Sequence, residues 1–115
     1  MIIPYVKLEE WTVPDDVVLS ILRKTQEEGT FQRVFYEGHI RTPEDFLEAM
    51  KKPANVPVFL FDESEPLGFA WLNGISGNIA FAHFCFLKHT WGNTKALGEA
   101  LRDYWFSLSA GGEGI

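Results

Sequence analysis

The stretch Ile79 to Leu87 constrains this chain more than any other. Ile79, Phe81, Cys85 and Leu87 alternate with Ala80, Ala82, Phe84 and Phe86, and only His83 interrupts the run with a polar side chain. Extended as a strand, such a segment is apolar on both faces, and a strand of that kind has to be covered on both faces. The expectation is a three-layer sandwich: an α/β domain with a mainly antiparallel sheet and helices on both sides. At 115 residues the chain is long enough for one such domain, spanning 1–115, with one hydrophobic core.

Two shorter apolar runs precede this one. Val56 to Phe61 and Leu67 to Leu72 are separated by the polar turn Asp62-Glu63-Ser64-Glu65-Pro66, and Asn73-Gly74-Ile75-Ser76-Gly77-Asn78 follows the second run. Runs of this length joined by tight turns predict an antiparallel meander. After it, Ala96, Leu97, Ala100, Leu101, Tyr104, Trp105 and Leu108 recur at helical spacing, which predicts an amphipathic helix over 94–108.

In the first half the period is helical. Ile2 to Leu8 reads as a short strand bent at Pro4. Thr12-Val13-Pro14-Asp15 then has the form of a capping box ahead of a helix over 14–28, with Gly29 as its stop. Phe31 to Tyr36 fits either a strand or an irregular aromatic segment. Thr42-Pro43-Glu44-Asp45 is the clearest helix start: a capping hydroxyl, a proline in the first turn, and acids facing the positive end of the dipole. That helix must end before Pro53.

Charge narrows the function classes. A net charge of −6, with basic residues scattered and paired only at Arg23-Lys24 and Lys51-Lys52, argues against nucleic acid as a partner. No apolar run reaches membrane-spanning length and no signal-peptide pattern opens the chain, so no membrane partner is expected and the cytoplasm is the default location. One cysteine excludes an internal disulfide and a cysteine-based zinc site. No metal-ligand spacing, nucleophile elbow or Walker loop occurs. The acidic pairs Asp15-Asp16 and Glu27-Glu28, with Asp62 to Glu65, read as solvated faces and turns.

The informative place is the junction Phe84-Cys85-Phe86-Leu87-Lys88-His89-Thr90-Trp91-Gly92-Asn93-Thr94-Lys95-Ala96-Leu97-Gly98. A strand that feeds a loop and then a helix start points backbone N–H groups at one spot, which suits an anion, and Lys88 and Lys95 add positive charge there. An ordinary strand-to-helix connection has the same sequence form. His83 suits a general base, or a structural histidine between aromatic neighbours. His39 beside Gly38 is a weaker candidate of the same kind. Cys85, flanked by Phe84 and Phe86, reads as core packing. Trp71 and Trp91 are candidates for a cleft wall or for the core.

Helix, helix, meander, long strand, loop and helix in this order resembles the first two-thirds of the GNAT superfamily of acyl-CoA N-acyltransferases, best over residues 56–108. Glu65-Pro66-Leu67-Gly68-Phe69-Ala70-Trp71-Leu72 is similar to the family's strand that opens with a Leu-Gly or Ile-Gly pair. The resemblance implies acetyl-CoA as cofactor, with its pyrophosphate at a Q/R-x-x-G-x-G/A pattern in the junction. Read from His89, the pattern keeps Gly92 and runs through Asn93 and Thr94. Read from Asn93, it runs through Thr94, Lys95 and Ala96 and keeps Gly98. The backbone groups for the pantetheine arm would belong to Phe86 and Leu87. The implied reaction is acyl transfer to a small-molecule or peptide amine, with His83 in the place of the base. The family's remaining C-terminal elements have no counterpart in this sequence. That leaves the expectation of an unpaired edge along Ile79 to Leu87, and hence a homodimer, and it keeps open the alternative of a non-catalytic interaction module with the same fold.

Overall fold

The computed structural model describes residues 1–31, 40–76 and 79–111, less the side chains of 74–76, 79–81 and 108–111. Strands β1 (Ile2–Pro4), β2 (Val56–Asp62), β3 (Glu65–Ser76) and β4 (Ile79–Phe86) form one antiparallel sheet in the order β1-β2-β3-β4. Helices α1 (Asp15–Glu27) and α2 (Pro43–Met50) lie between β1 and β2, and α3 (Thr94–Gly111) follows β4 through a short 3-10 helix, Lys88–Asn93.

The period-two pattern of the strands sorts the core into two halves. Phe59, Phe61, Phe69, Trp71 and Cys85 point to one side and meet Val18, Ile21 and Leu22 of α1 and Phe46 and Met50 of α2. Val58, Leu60, Ala70 and Leu72 point to the other and meet Leu101 and Trp105 of α3. The sheet is therefore covered on both sides, as the strand pattern requires. Cover over β4 is incomplete: Phe84 leans on Trp105 with ring centroids 6.0 Å apart, yet it remains 42% exposed, at the last described strand of the sheet.

The helix starts differ from one another. At α2 the capping box forms as expected: the Asp45 N–H donates to Thr42 Oγ1 at 3.1 Å, and the Thr42 N–H donates to Asp45 Oδ2 at 3.2 Å. Backbone N–H groups of Arg41 and Thr42, with the Thr42 hydroxyl, hold the Asp45 carboxyl below its ordinary value. At α1 the expected box does not form. Pro14 is the N-cap, without a side-chain bond. The Thr12 hydroxyl instead donates to the Pro4 carbonyl at 2.6 Å and accepts from the Val6 N–H at 3.2 Å. The reason is distance along the chain: β1 ends at Pro4, and Thr12 closes the turn that follows it, two residues before the helix cap. The strand expected over Ile2 to Leu8 is accordingly short, and Lys7 only bridges to Trp11. Most of the segment Phe31 to Tyr36, and His39, lie outside the described residues; Phe31 itself is buried.

Strand β3 runs on to Ser76, into the stretch expected to be a turn. It also contains one extra residue near its start. Leu60 pairs with Gly68 and Phe61 with Pro66, so Leu67 bulges out and joins the α3 side of the core with the even-numbered Ala70 and Leu72. Beside the bulge, β3 and β4 come unusually close. A side chain on Gly68 would collide with the Cys85 carbonyl and stand 2.9 Å from Phe86 Cα, and its φ of +158° is one that side chains rarely adopt. No helix among the described residues is long and apolar enough to cross a membrane. Gly68→Ala is expected to destabilise the protein by roughly 2 kcal/mol or more, since neither contacting group is a flexible side-chain tip. A urea midpoint equal to that of the parent protein would refute this account of the β3–β4 contact.

Candidate functional site at the β4 to α3 junction

The ladder fixes which backbone groups of β4 are available. The Leu87 N–H donates to the Leu67 carbonyl at 2.9 Å. By the alternation of an antiparallel pair, His83, Cys85 and Leu87 then bond toward β3, and the backbone groups of Ala82, Phe84 and Phe86 point away from it. The Phe86 carbonyl accepts the Trp91 indole N–H at 3.1 Å, which folds Trp91, 46% exposed, back over the end of the strand. Lys88 Nζ lies 5.6 Å from the centre of that indole ring. The Leu87 carbonyl accepts from the Thr90 N–H at 2.9 Å and the Thr90 hydroxyl at 2.7 Å. Both backbone groups of Leu87 are thus engaged internally. Among the described residues, the groups of Ala82 and Phe84 and the N–H of Phe86 find no partner.

The connection expected to be an open loop is wound into the 3-10 helix Lys88–Asn93 and continues directly into α3. Its first amide is also occupied. The Lys88 N–H donates to Glu28 Oε1 at 2.9 Å, so a carboxylate from the end of α1 sits where an anion is favoured. Farther along, Gly92 and Gly98 have no neighbouring atom within 4 Å of where a Cβ would stand. Asn93, Lys95 and Ala96 are exposed, and Thr94 is half-buried. Both versions of the glycine pattern therefore have open space at their glycine, and the geometry does not choose between them.

A groove of about 700 Å³ opens beside this junction. Its floor contains Ile21, Pro66 and Leu87. Arg23 and Lys24 rise on the α1 wall, with His89 and Glu65 opposite. His89 Nε2 is 3.0 Å from Glu65 Oε1, and Arg23 pairs with Glu44 at 3.1 Å. Of the residues named from the sequence, Leu87 and His89 line this groove. Gly92 to Gly98 run on from it along the helix, and His83 stands four residues back along β4.

His83 projects to the α1/α2 side of the sheet. Its ring stacks on Trp71 with centroids 4.8 Å apart and planes 16° from parallel, and its Nε2 lies 3.0 Å from Asn73 Oδ1. Trp71 is buried in the core, touching Phe46 edge-on at 5.5 Å. Cys85 is buried, and burial pushes its thiol up to about 11, against a hydrogen bond from Thr30 that lowers it. A thiol protonated at neutral pH and closed to solvent is packing, as its aromatic flanks imply.

Sequence reading passed over four contributors. Arg23, Lys24 and Glu65 carry no local signal, because a groove wall is made by elements distant in the chain. Glu28 did carry one: an acid at a helix C-terminus opposes the dipole, which hints that it is used elsewhere. Among the described residues no group of three or more His, Cys, Asp or Glu could hold a metal ion. No family model, no curated protein and no solved structure matches the chain.

The packing of Cys85 is open to a direct check. In native protein at neutral pH, iodoacetamide should leave the thiol unmodified over hours, whereas urea-unfolded protein should react fully. Rapid stoichiometric labelling of the native state would show an accessible thiolate.

Proposed function

We propose that the chain is an acyl-CoA-binding domain of the GNAT type, holding acetyl-CoA along β4 and across the junction, and passing the acyl group to a small-molecule or peptide amine. The observation that carries this reading is the junction itself. A strand with outward-facing backbone groups ends at a groove with Arg23, Lys24 and His89 on its walls, and the helical segments behind it leave open space at Gly92 and Gly98. The sheet order, with α1 and α2 between β1 and β2 in the chain and α3 after β4, supports it as the arrangement the family resemblance implies. The groove and His83 share the α1/α2 side of the sheet. Four residues of strand separate His83 from Leu87, about 13 Å at the rise of an extended chain. An extended pantetheine arm lying along β4 suits a span of that kind, with the pyrophosphate at the groove end.

When bound, acetyl-CoA supplies the activated acyl carbonyl. The chain's own groups would do the rest: the outward-facing N–H of Phe86 and the backbone of Phe84 align the arm, Gly92 to Gly98 and the groove cations meet the phosphates, and His83 accepts a proton from the amine. The Phe86 carbonyl and Leu87 amide, implied for the arm by the resemblance, are held by Trp91 and Leu67, so the contacts shift one residue toward the outward-facing set.

An acetyl-CoA titration followed by amide NMR tests this reading. Shifts should concentrate over Phe86 to Gly98. Gly92→Ala and Gly98→Ala add a methyl into open space, so neither should unfold the protein, and the second should stabilise it by about 0.5–1 kcal/mol because it lies inside α3. Whichever glycine faces the pyrophosphate, its alanine variant should bind roughly tenfold more weakly or worse. An absence of shifts at millimolar ligand would sink the cofactor reading.

One feature favours a second reading, that of an interaction module. Among the described residues no strand pairs with the outer backbone of Ala82 and Phe84, and no charged residue or proline lies between Ile79 and Leu87 to discourage strand addition. A twofold axis at Phe84 would pair Ala82 with the mate's Phe86 and make a homodimer. Sedimentation at micromolar concentration should then show a dimer that Phe84→Lys converts to monomer. A monomer in the parent protein excludes this use of the edge.

A further inference from the structure

Asn73 and His83 stand together on the α1/α2 side of the sheet. Trp71 is paired with His83 across the β3–β4 ladder, and Asn73 is paired with Phe81, which makes Asn73 the diagonal neighbour of His83 on the same face. The stack on Trp71 sets the plane of the imidazole. Asn73 Oδ1 lies 3.0 Å from Nε2. An amide oxygen only accepts, so Nε2 has to carry the hydrogen. A neutral imidazole with its hydrogen on Nε2 keeps its lone pair on Nδ1. Among the described residues no hydrogen-bond partner reaches Nδ1.

We infer that Asn73 is a positioning residue: it locks His83 in the Nε2–H tautomer and so makes Nδ1 the proton acceptor on the α1/α2 side of the sheet. The substrate class that suits such a group is a primary amine arriving as its ammonium ion. One N–H bond of the ammonium breaks, a hydrogen–Nδ1 bond forms, the amine keeps its electron pair, and the imidazolium later returns the proton to water. The Asn73 oxygen accepts from Nε2–H in both states of the ring, so it holds the cation as well as the neutral base. The role of the base rests on the acyl-transfer reading above; the tautomer does not.

Two measurements keep these apart. Long-range proton–nitrogen correlation of the histidine rings, recorded about two pH units above the ordinary histidine value so that the rings are neutral, reports the tautomer without any ligand. His83→Gln identifies the signals of His83. The expected spectrum has a protonated Nε2 and a bare Nδ1 in the parent protein and in Asn73→Asp, which keeps an acceptor, and a mixture of tautomers in Asn73→Leu. A hydrogen on Nδ1 in the parent protein, or an unchanged pattern in a folded Asn73→Leu, overturns the inference; if that variant does not fold, the spectrum of the parent protein decides. Turnover of acetyl-CoA with an amine is the second measurement. The base role predicts that His83→Gln lowers kcat by about 10²-fold or more with acetyl-CoA affinity retained, and that Asn73→Leu lowers kcat in the same sense. A fixed tautomer with kcat unchanged in both variants overturns the base role and leaves cofactor binding to stand or fall on its own titration.

Discussion

The close passage of β3 over the end of β4 at Gly68 sets the geometry of everything downstream. Because Gly68 has no side chain, the β3 backbone lies against the Cys85 carbonyl and Phe86 Cα, and the Leu67 bulge lets the next ladder bond reach Leu87. That bond ends the described β3–β4 ladder. The chain then turns at once, with the Leu87 carbonyl tied twice to Thr90. The site where β4 stops, and hence where α3 starts and where the groove opens, follows from one glycine and one extra residue on a neighbouring strand.

The junction is also tied to α1, which approaches it from the other side of the groove. Glu28 reaches from the α1 C-cap to the Lys88 amide, and Ile21 and Leu87 both line the groove. An acid at that end of α1 opposes the helix dipole, but it gains a partner where the 3-10 helix begins, so one carboxylate satisfies an orphan amide and binds two distant segments. The same choice shapes the proposed site. An anion at the junction finds its first amide taken, and its attraction must come from the groove cations and from the backbone farther along, around Gly92 and Gly98. Glu27 lines the same groove, Arg23 is paired with Glu44, and Glu65 lies 3.0 Å from His89, which moderates the field there and favours a ligand that makes directed contacts over a diffuse polyanion.

Much of the fold was legible because its signals are local. Thr42 and Asp45 form the box their spacing implies, the three apolar runs are three strands of an antiparallel sheet, and the two-faced pattern of Ile79 to Leu87 matches helices on both sides. The misreadings have physical causes of two kinds. Thr12 has the residue type of a cap, but a hydroxyl bonds whichever backbone group is nearest, and at that place it is Pro4. Asn73 to Ser76 has turn composition, but pairing with β4 outweighs the weak strand propensity of Asn and Gly. The junction was found for its chain order, while its walls were not, since Arg23, Lys24 and Glu65 meet Leu87 and His89 only through the tertiary fold.

Strand β4 has three environments. Its α3 side rests on Trp105 and the second core half through Phe84 and Phe86. Its α1/α2 side buries Cys85 and holds the His83 ring between a stack and an amide. Its outer edge keeps backbone donors and acceptors that no described strand uses. An edge left with apolar side chains on both flanks attracts anything extended, whether a pantetheine arm or another strand. What distinguishes the two is the end of the edge. A strand adds along β4 and gains nothing from the groove, whereas a ligand with an extended arm and a charged head uses both, and the polar groups around Leu87 then have a chemical counterpart. For that reason the junction, more than the edge, favours the acyl-CoA reading.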